Sequence, residues 1–156
     1  MKRRIIIAVF FAFFINIAAG ASMVSFYVIE TGIPEETETI QHSVNWENAF
    51  LDIFFDAGHI VCNAPILRLQ KKPSVDISNM VDMKDAKDSG IEFILIAQID
   101  YEENTRTPKE IVFIIYNLIT NERLLEKKIS PDKLKKARSE YEDMKTVVRG
   151  LVPYFK

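Results

Sequence analysis

Few residues of this chain have the types and spacing that chemistry needs. Asp56-x-x-His59 pairs a carboxylate with an imidazole, two groups that a divalent metal accepts. No third ligand accompanies them at a matching spacing, and His42 is the only other histidine. A histidine at a helix end also complements the helix dipole, which is the simpler reading of His59. Asp52 and Asp56 lie one helical turn apart, like an acid–base pair, yet on a solvated helix face they are ordinary surface charges. Cys62 is the single cysteine. Its apolar neighbours predict a buried, inert thiol. Nucleophilic catalysis would require a base and an orienting group beside it. His59, three residues away along a strand, points to the opposite face. A lone cysteine closes no internal disulfide, which leaves pairing with another chain as its one disulfide route. Neither a phosphate loop, a dinucleotide fingerprint nor a Gly-x-Ser-x-Gly elbow is present. The expectation is a protein with no catalytic residue, no cofactor and no metal.

The strongest charge feature is basic: Lys127, Lys128, Lys133, Lys135, Lys136 and Arg138. Glu140, Glu142 and Asp143 follow directly, so the patch is local. A solvated helix face accounts for it. Contact with an acidic partner or anionic headgroups is the functional alternative, carried by Lys133, Lys135, Lys136 and Arg138.

The elements that would position these residues are legible from periodicity. Val24 to Ile29 is rich in β-branched and aromatic residues and reads as a strand ended by Gly32 and Pro34. Trp46, Ala49, Phe50, Ile53, Phe54 and Ala57 share one helical face. Ser43 or Asn45 can cap that helix, and Gly58 can close it. Leu51 and Phe55 widen its apolar face, which predicts cover on more than one side. Its four aromatics should anchor the core. A short strand follows over His59 to Asn63, and after Pro65 the segment Ile66 to Leu69 extends it in another direction. A second helix is expected from Ile77 to Asp88, capped by Ser74, Asp76 or Ser78. Glu92 to Ile99 is nearly continuous apolar sequence, as a strand buried on both faces requires. Ile111 to Tyr116 and Leu124 to Ile129 complete an antiparallel meander, with Asn121 suited to positive φ in the connecting turn. Ser130-Pro131 starts a final helix whose stripe is Leu134, Ala137, Tyr141, Met144, Val148 and Leu151. Gly150 and Pro153 end it. The order β-α-β-α-β-β-β-α predicts a two-layer α/β (α+β) sandwich with a mixed sheet and a right-handed β-α-β connection.

The first residues set an address. Lys2, Arg3 and Arg4 precede an uncharged run from Ile5 to Ala19, and Ala19-Gly20-Ala21 supplies small residues for a signal peptidase. Residues 1–21 are therefore expected to be a secretory leader and residues 22–156 a single domain. The apolar run is shorter than the roughly 20 residues of a spanning helix, although retention as an anchor stays open. A lipid anchor is not expected, because no cysteine lies at the cleavage site. The leader holds three of the 20 basic residues and none of the 22 acidic ones, so without it the net charge falls from −2 to −5. An acidic chain is a poor binder of nucleic acid. Membrane contact is expected only with the leader uncleaved.

From Gly90 the chain resembles a set of periplasmic domains. These carry Gly-Ala/Val-Asp-Tyr/Phe-Ile/Leu-aliphatic-x-Gly, then a hairpin ending in Asp-x-x-Thr-Gly-x-aliphatic. The set comprises the amino-terminal domain of TolB, the curli-secretion protein CsgG, the flagellar outer-membrane protein FlgO and the lipoprotein activators of penicillin-binding proteins. The resemblance rests on Gly90-Ile91-Glu92-Phe93-Ile94-Leu95-Ile96-Ala97 and on Ile115-Tyr116-Asn117-Leu118-Ile119-Thr120-Asn121-Glu122-Arg123-Leu124. Ala97 and Asn121 stand where the set favours Gly, and Asn117 where it favours Asp. The resemblance implies the same α/β fold, an envelope location and docking to other proteins. It implies no catalytic residue. The functional expectation is an exported, non-enzymatic binding or assembly module of the bacterial cell envelope, with an envelope protein or a second copy as partner. Two alternatives stay open: an inner-membrane-tethered structural or sensor subunit, and a small exported hydrolase.

Overall fold

The computed structural model describes residues 21–34, 38, 40–73, 77–102, 107–131 and 140–155. The expected leader lies outside them. Strand β1 (Met23–Thr31) is followed by helix α1 (Gln41–Asp56) and the short strands β2 (Ile60–Asn63) and β3 (Leu67–Leu69). A 3-10 turn (Ile77–Met80) and helix α2 (Met83–Asp88) lead to β4 (Phe93–Tyr101), β5 (Pro108–Asn117) and β6 (Glu122–Ile129), and helix α3 (Glu140–Arg149) comes last. The chain adopts the expected α/β sandwich. Its sheet runs β2-β1-β4-β5-β6, with β3 also paired to β1. β1 is parallel to β2, β3 and β4, whereas β4, β5 and β6 form the antiparallel meander.

Period-2 alternation sorts the sheet residues between two faces. Val24, Phe26 and Val28 of β1 join Leu95, Ala97 and Ile99 of β4 in the larger core, under α1 and α3. Ile29, Ile94, Ile96 and Ile114 face the other way, against Val81 and Ala86 near and within α2. β1 and β4 are covered on both sides, which is why they read as continuous apolar runs. Among the described residues no helix is long and apolar enough to cross a membrane.

α1 carries the centre of the larger core. Trp46 and Phe50 are fully buried, with ring centroids 5.2 and 5.8 Å from Phe113 of β5. Phe54 meets Phe155 edge-on at 4.6 Å. Phe55 departs from expectation: it is 76% exposed. A helix lying on one face of a sheet buries one stripe, and Phe55 sits one position beyond it.

The expected caps also differ. Ile40 occupies the N-cap of α1 and makes no side-chain cap bond. Ser43 lies inside the first turn, buried, with its hydroxyl 2.7 Å from the Tyr101 hydroxyl. Asn45 is likewise inside α1, and Gln41 donates to its side-chain oxygen. The second helix is broken at Asp82, whose non-helical backbone (φ −74°, ψ 83°) lets its carboxylate accept from the Asp85 N–H at 2.9 Å. Ser74 and Asp76 lie outside the described residues, as do Leu134 and Ala137 of the final stripe. Met144, Val148 and Leu151 of that stripe are fully buried. Asn121 takes φ 58° in the β5–β6 turn, as its position demands.

Candidate functional site

The chemistry expected at the end of α1 is taken up by packing. His59 Nδ1 lies 2.6 Å from Ser22 Oγ, and its ring packs between Phe54 and Phe155. Burial lowers the His59 pKa, and the nearby Glu92 carboxylate offsets part of that effect. A serine beside an imidazole is the pair that hydrolases use. Here Ser22 is 6% exposed and also hydrogen-bonds the Phe155 carbonyl at 3.4 Å, so the hydroxyl is closed to a substrate. The contact ties the start of β1 to the end of the chain. Asp56 is exposed. Among the described residues no three His, Cys, Asp or Glu side chains are grouped to hold a metal.

Asp52 serves a helix–helix contact. Its carboxylate accepts from the Tyr141 hydroxyl of α3 at 2.7 Å. Desolvation and this carboxylate push the Tyr141 hydroxyl up to about 12.

Cys62 is exposed, contrary to the expectation of a buried thiol. Its apolar neighbours belong to β2, the edge of the sheet, whose residues are mostly exposed. An apolar run on an edge strand carries no guarantee of burial. The same edge leaves Ile60 54% exposed and Leu67 38% exposed.

Lys133, Lys135, Lys136 and Arg138 lie outside the described residues. Of the neighbouring basic residues, Lys127 is exposed and Lys128 pairs with Glu110 of β5 at 2.7 Å. The Lys128 hydrogen bond, with help from Lys72, holds the Glu110 carboxyl below its ordinary range.

The structure gathers a polar cluster that sequence reasoning missed, at the carboxyl ends of β1 and β4 and the start of α1. Glu30 is fully buried and pairs with Arg68 Nε of β3 at 2.5 Å. Tyr101, at the end of β4, bonds Ser43 and lies 3.4 Å from His42 Nδ1. Burial, reinforced by the Glu30 and Glu140 charges, raises the Tyr101 pKa. Burial alone lowers His42 to about 4. Glu140 Oε1 of α3 is 3.5 Å from His42 Nε2, but at neutral pH the ring is uncharged and the contact is no ion pair. Glu30 Oε1, His42 Nε2 and Trp46 Nε1 have no hydrogen-bond partner among the described residues. A sequence signal for part of this existed. Alternation puts Glu30 on the face of Val28, and the lone Arg68 in Leu-Arg-Leu carries the opposite charge.

A family model described as "Uncharacterised protein" matches residues 24–149. No curated protein matches the chain. Solved structures with a similar trace include the PelC dodecamer from Paraburkholderia phytofirmans, 10% identical over 86% of this chain and 87% of that one, with a TM-score of 0.49. TolB from Acinetobacter baumannii is 11% identical over 86% of this chain and 28% of that one, also at 0.49. The LpoB C-terminal domain from Salmonella enterica is 11% identical over 76% of this chain and 90% of that one, at 0.42.

Proposed function

The chain belongs to the family described as "Uncharacterised protein", and we propose that it is an exported, non-enzymatic binding or assembly module of the bacterial cell envelope. One contrast carries the reading. The groups closest to a catalytic arrangement are engaged in structural contacts: Ser22 with His59, Ser43 and His42 with Tyr101, Glu30 with Arg68. Apolar side chains remain in the open instead, with Ile60 and Leu67 on the edge strands and Phe55 on the outer face of α1. Edge strands offer unpaired backbone groups to an incoming strand, and exposed apolar residues add area to such a contact. The leader-like start and the motif from Gly90 support an envelope address. The partner is an envelope protein or a second copy of the chain, met in the periplasm once the leader is removed.

Two measurements test this. Mass spectrometry of the native amino terminus should find a chain starting near Ser22. A chain retaining Met1 in the inner membrane would favour the tethered subunit instead. Co-purification from detergent-treated envelopes should recover a specific partner, and reversing the charges at Lys133, Lys135, Lys136 and Arg138 should weaken its recovery without lowering thermal stability. Recovery of no specific partner would sink the docking reading.

A further inference from the structure

We infer that a groove between α2 and the β5–β6 hairpin receives an acidic segment of a partner protein, with one apolar side chain seated beside its carboxylate. This rests on the docking reading above and adds a second surface, at the opposite side of the sheet from the β2 edge. The groove has a volume of about 360 Å³, near the lower end of the roughly 300–1,000 Å³ typical of ligand sites. Met83, Tyr116 and Leu118 give it an apolar lining, and Lys84 and Lys87 bring two exposed ammonium groups. No acidic side chain lines it. Asp85 and Asp88 share the helix but stand outside the lining.

Charge and shape together specify the occupant. Two lysines three residues apart on a helix repel each other, and an anion placed between them relieves that repulsion. The apolar lining rejects a bare, fully hydrated anion and favours one attached to an aliphatic or aromatic side chain. Ile119, 63% exposed in the adjoining turn, extends the apolar contact outward. Both walls are fixed in advance. Asn117 Oδ1 accepts from the N–H groups of Ile119 and Thr120 at 2.8 and 3.1 Å, and Leu118 N–H bonds the Glu92 carbonyl at 2.8 Å. On the other side, Lys87 Nζ reaches Asn121 Oδ1 at 3.3 Å and holds the rim together. Walls already ordered before binding lose little entropy on closing around a ligand.

Photo-cross-linking in intact cells tests the inference, with benzoylphenylalanine placed at the exposed Ile119 on the rim of the groove or at Ile60 on the sheet edge of the full chain. Adducts from Ile119 should map to a partner segment in which acidic residues flank an apolar one. Lys84→Glu/Lys87→Glu should reduce their yield at least about tenfold, equivalent to roughly 1.4 kcal/mol. The milder Lys84→Gln/Lys87→Gln should reduce it less, and both variants should keep the Ile60 adducts, which report a folded domain. Ile119 adducts to a basic segment, to lipid or to a second copy would overturn the groove, as would a yield indifferent to the lysines. Adducts from Ile60 alone would overturn the groove and leave the docking reading standing. Adducts from neither position would remove both.

Discussion

His42 makes the pH response of this domain readable from one side chain. Its pKa falls from 6.5 to about 4 on folding, because burial disfavours the charged ring. Below pH 6.5 the unfolded chain binds a proton that the folded one refuses until about pH 4. The His42 contribution to stability therefore drops as the pH falls through that window and levels off beneath it, with a loss on the order of 3 kcal/mol. His59, also lowered by burial, acts in the same direction. Urea unfolding at pH 7.0, 5.5 and 4.0 should show a falling midpoint, and His42→Gln should flatten most of the slope. The Glu30–Arg68 pair makes a different prediction. Arg68→Met strands a fully buried carboxylate and should cost about 3–5 kcal/mol, while Glu30→Leu/Arg68→Met should recover most of that. Equal destabilisation of the single and double variants would contradict the pairing. The sequence signal for this pair is only partial. Glu30 sits at the end of an apolar strand, and its partner is 38 residues away on a three-residue strand too short to show a period.

At the level of elements, the helical stripe separates neighbours on the same helix. Phe50→Ala removes a fully buried ring and should destabilise by about 3–5 kcal/mol. Phe55→Ala, five residues on, should stay within about 0.5 kcal/mol. A calorimetric comparison distinguishes them, and comparable losses would mean that Phe55 is covered. Turn glycines divide in a similar way. Gly32 (φ 85°) would place a methyl group 2.5 Å from the Tyr101 carbonyl oxygen, whereas Gly58 (φ 85°) has nothing within 4 Å of that position. Both Ala variants should incur about 1–2 kcal/mol for the left-handed backbone, and Gly32→Ala more through the clash. Strong periodicity made α1, β4 and the meander legible, because each buries a regular stripe against a large neighbour. The caps were not legible, since Ser43 has a better partner in Tyr101 than in its own helix, and that partner is brought by tertiary structure alone. Cys62 was misjudged for a related reason: hydrophobicity reports what a strand prefers, while strand order decides what it receives.

Across the described residues, the mixed sheet with long helices on one face and a short one on the other buries most of the large apolar side chains, and Phe55, Ile60, Leu67, Ile119 and Tyr154 stay exposed. An edge contact predicts that Ile60→Lys should weaken partner recovery from envelopes several-fold while leaving the melting temperature nearly unchanged, because edge strands tolerate lysine. A melt shifted as far as that of a core variant would instead make Ile60 part of the domain's own packing. The placement of β1 has a consequence for assembly. The first of the described strands lies in the interior of the sheet, and Val24 waits for Phe93 before its ladder with β4 can begin. Closing so distant a pair is slow, and a fragment ending before β4 lacks the strand on one side of β1. Commitment of β1 to its native pairing therefore comes only when the later half of the polypeptide has arrived.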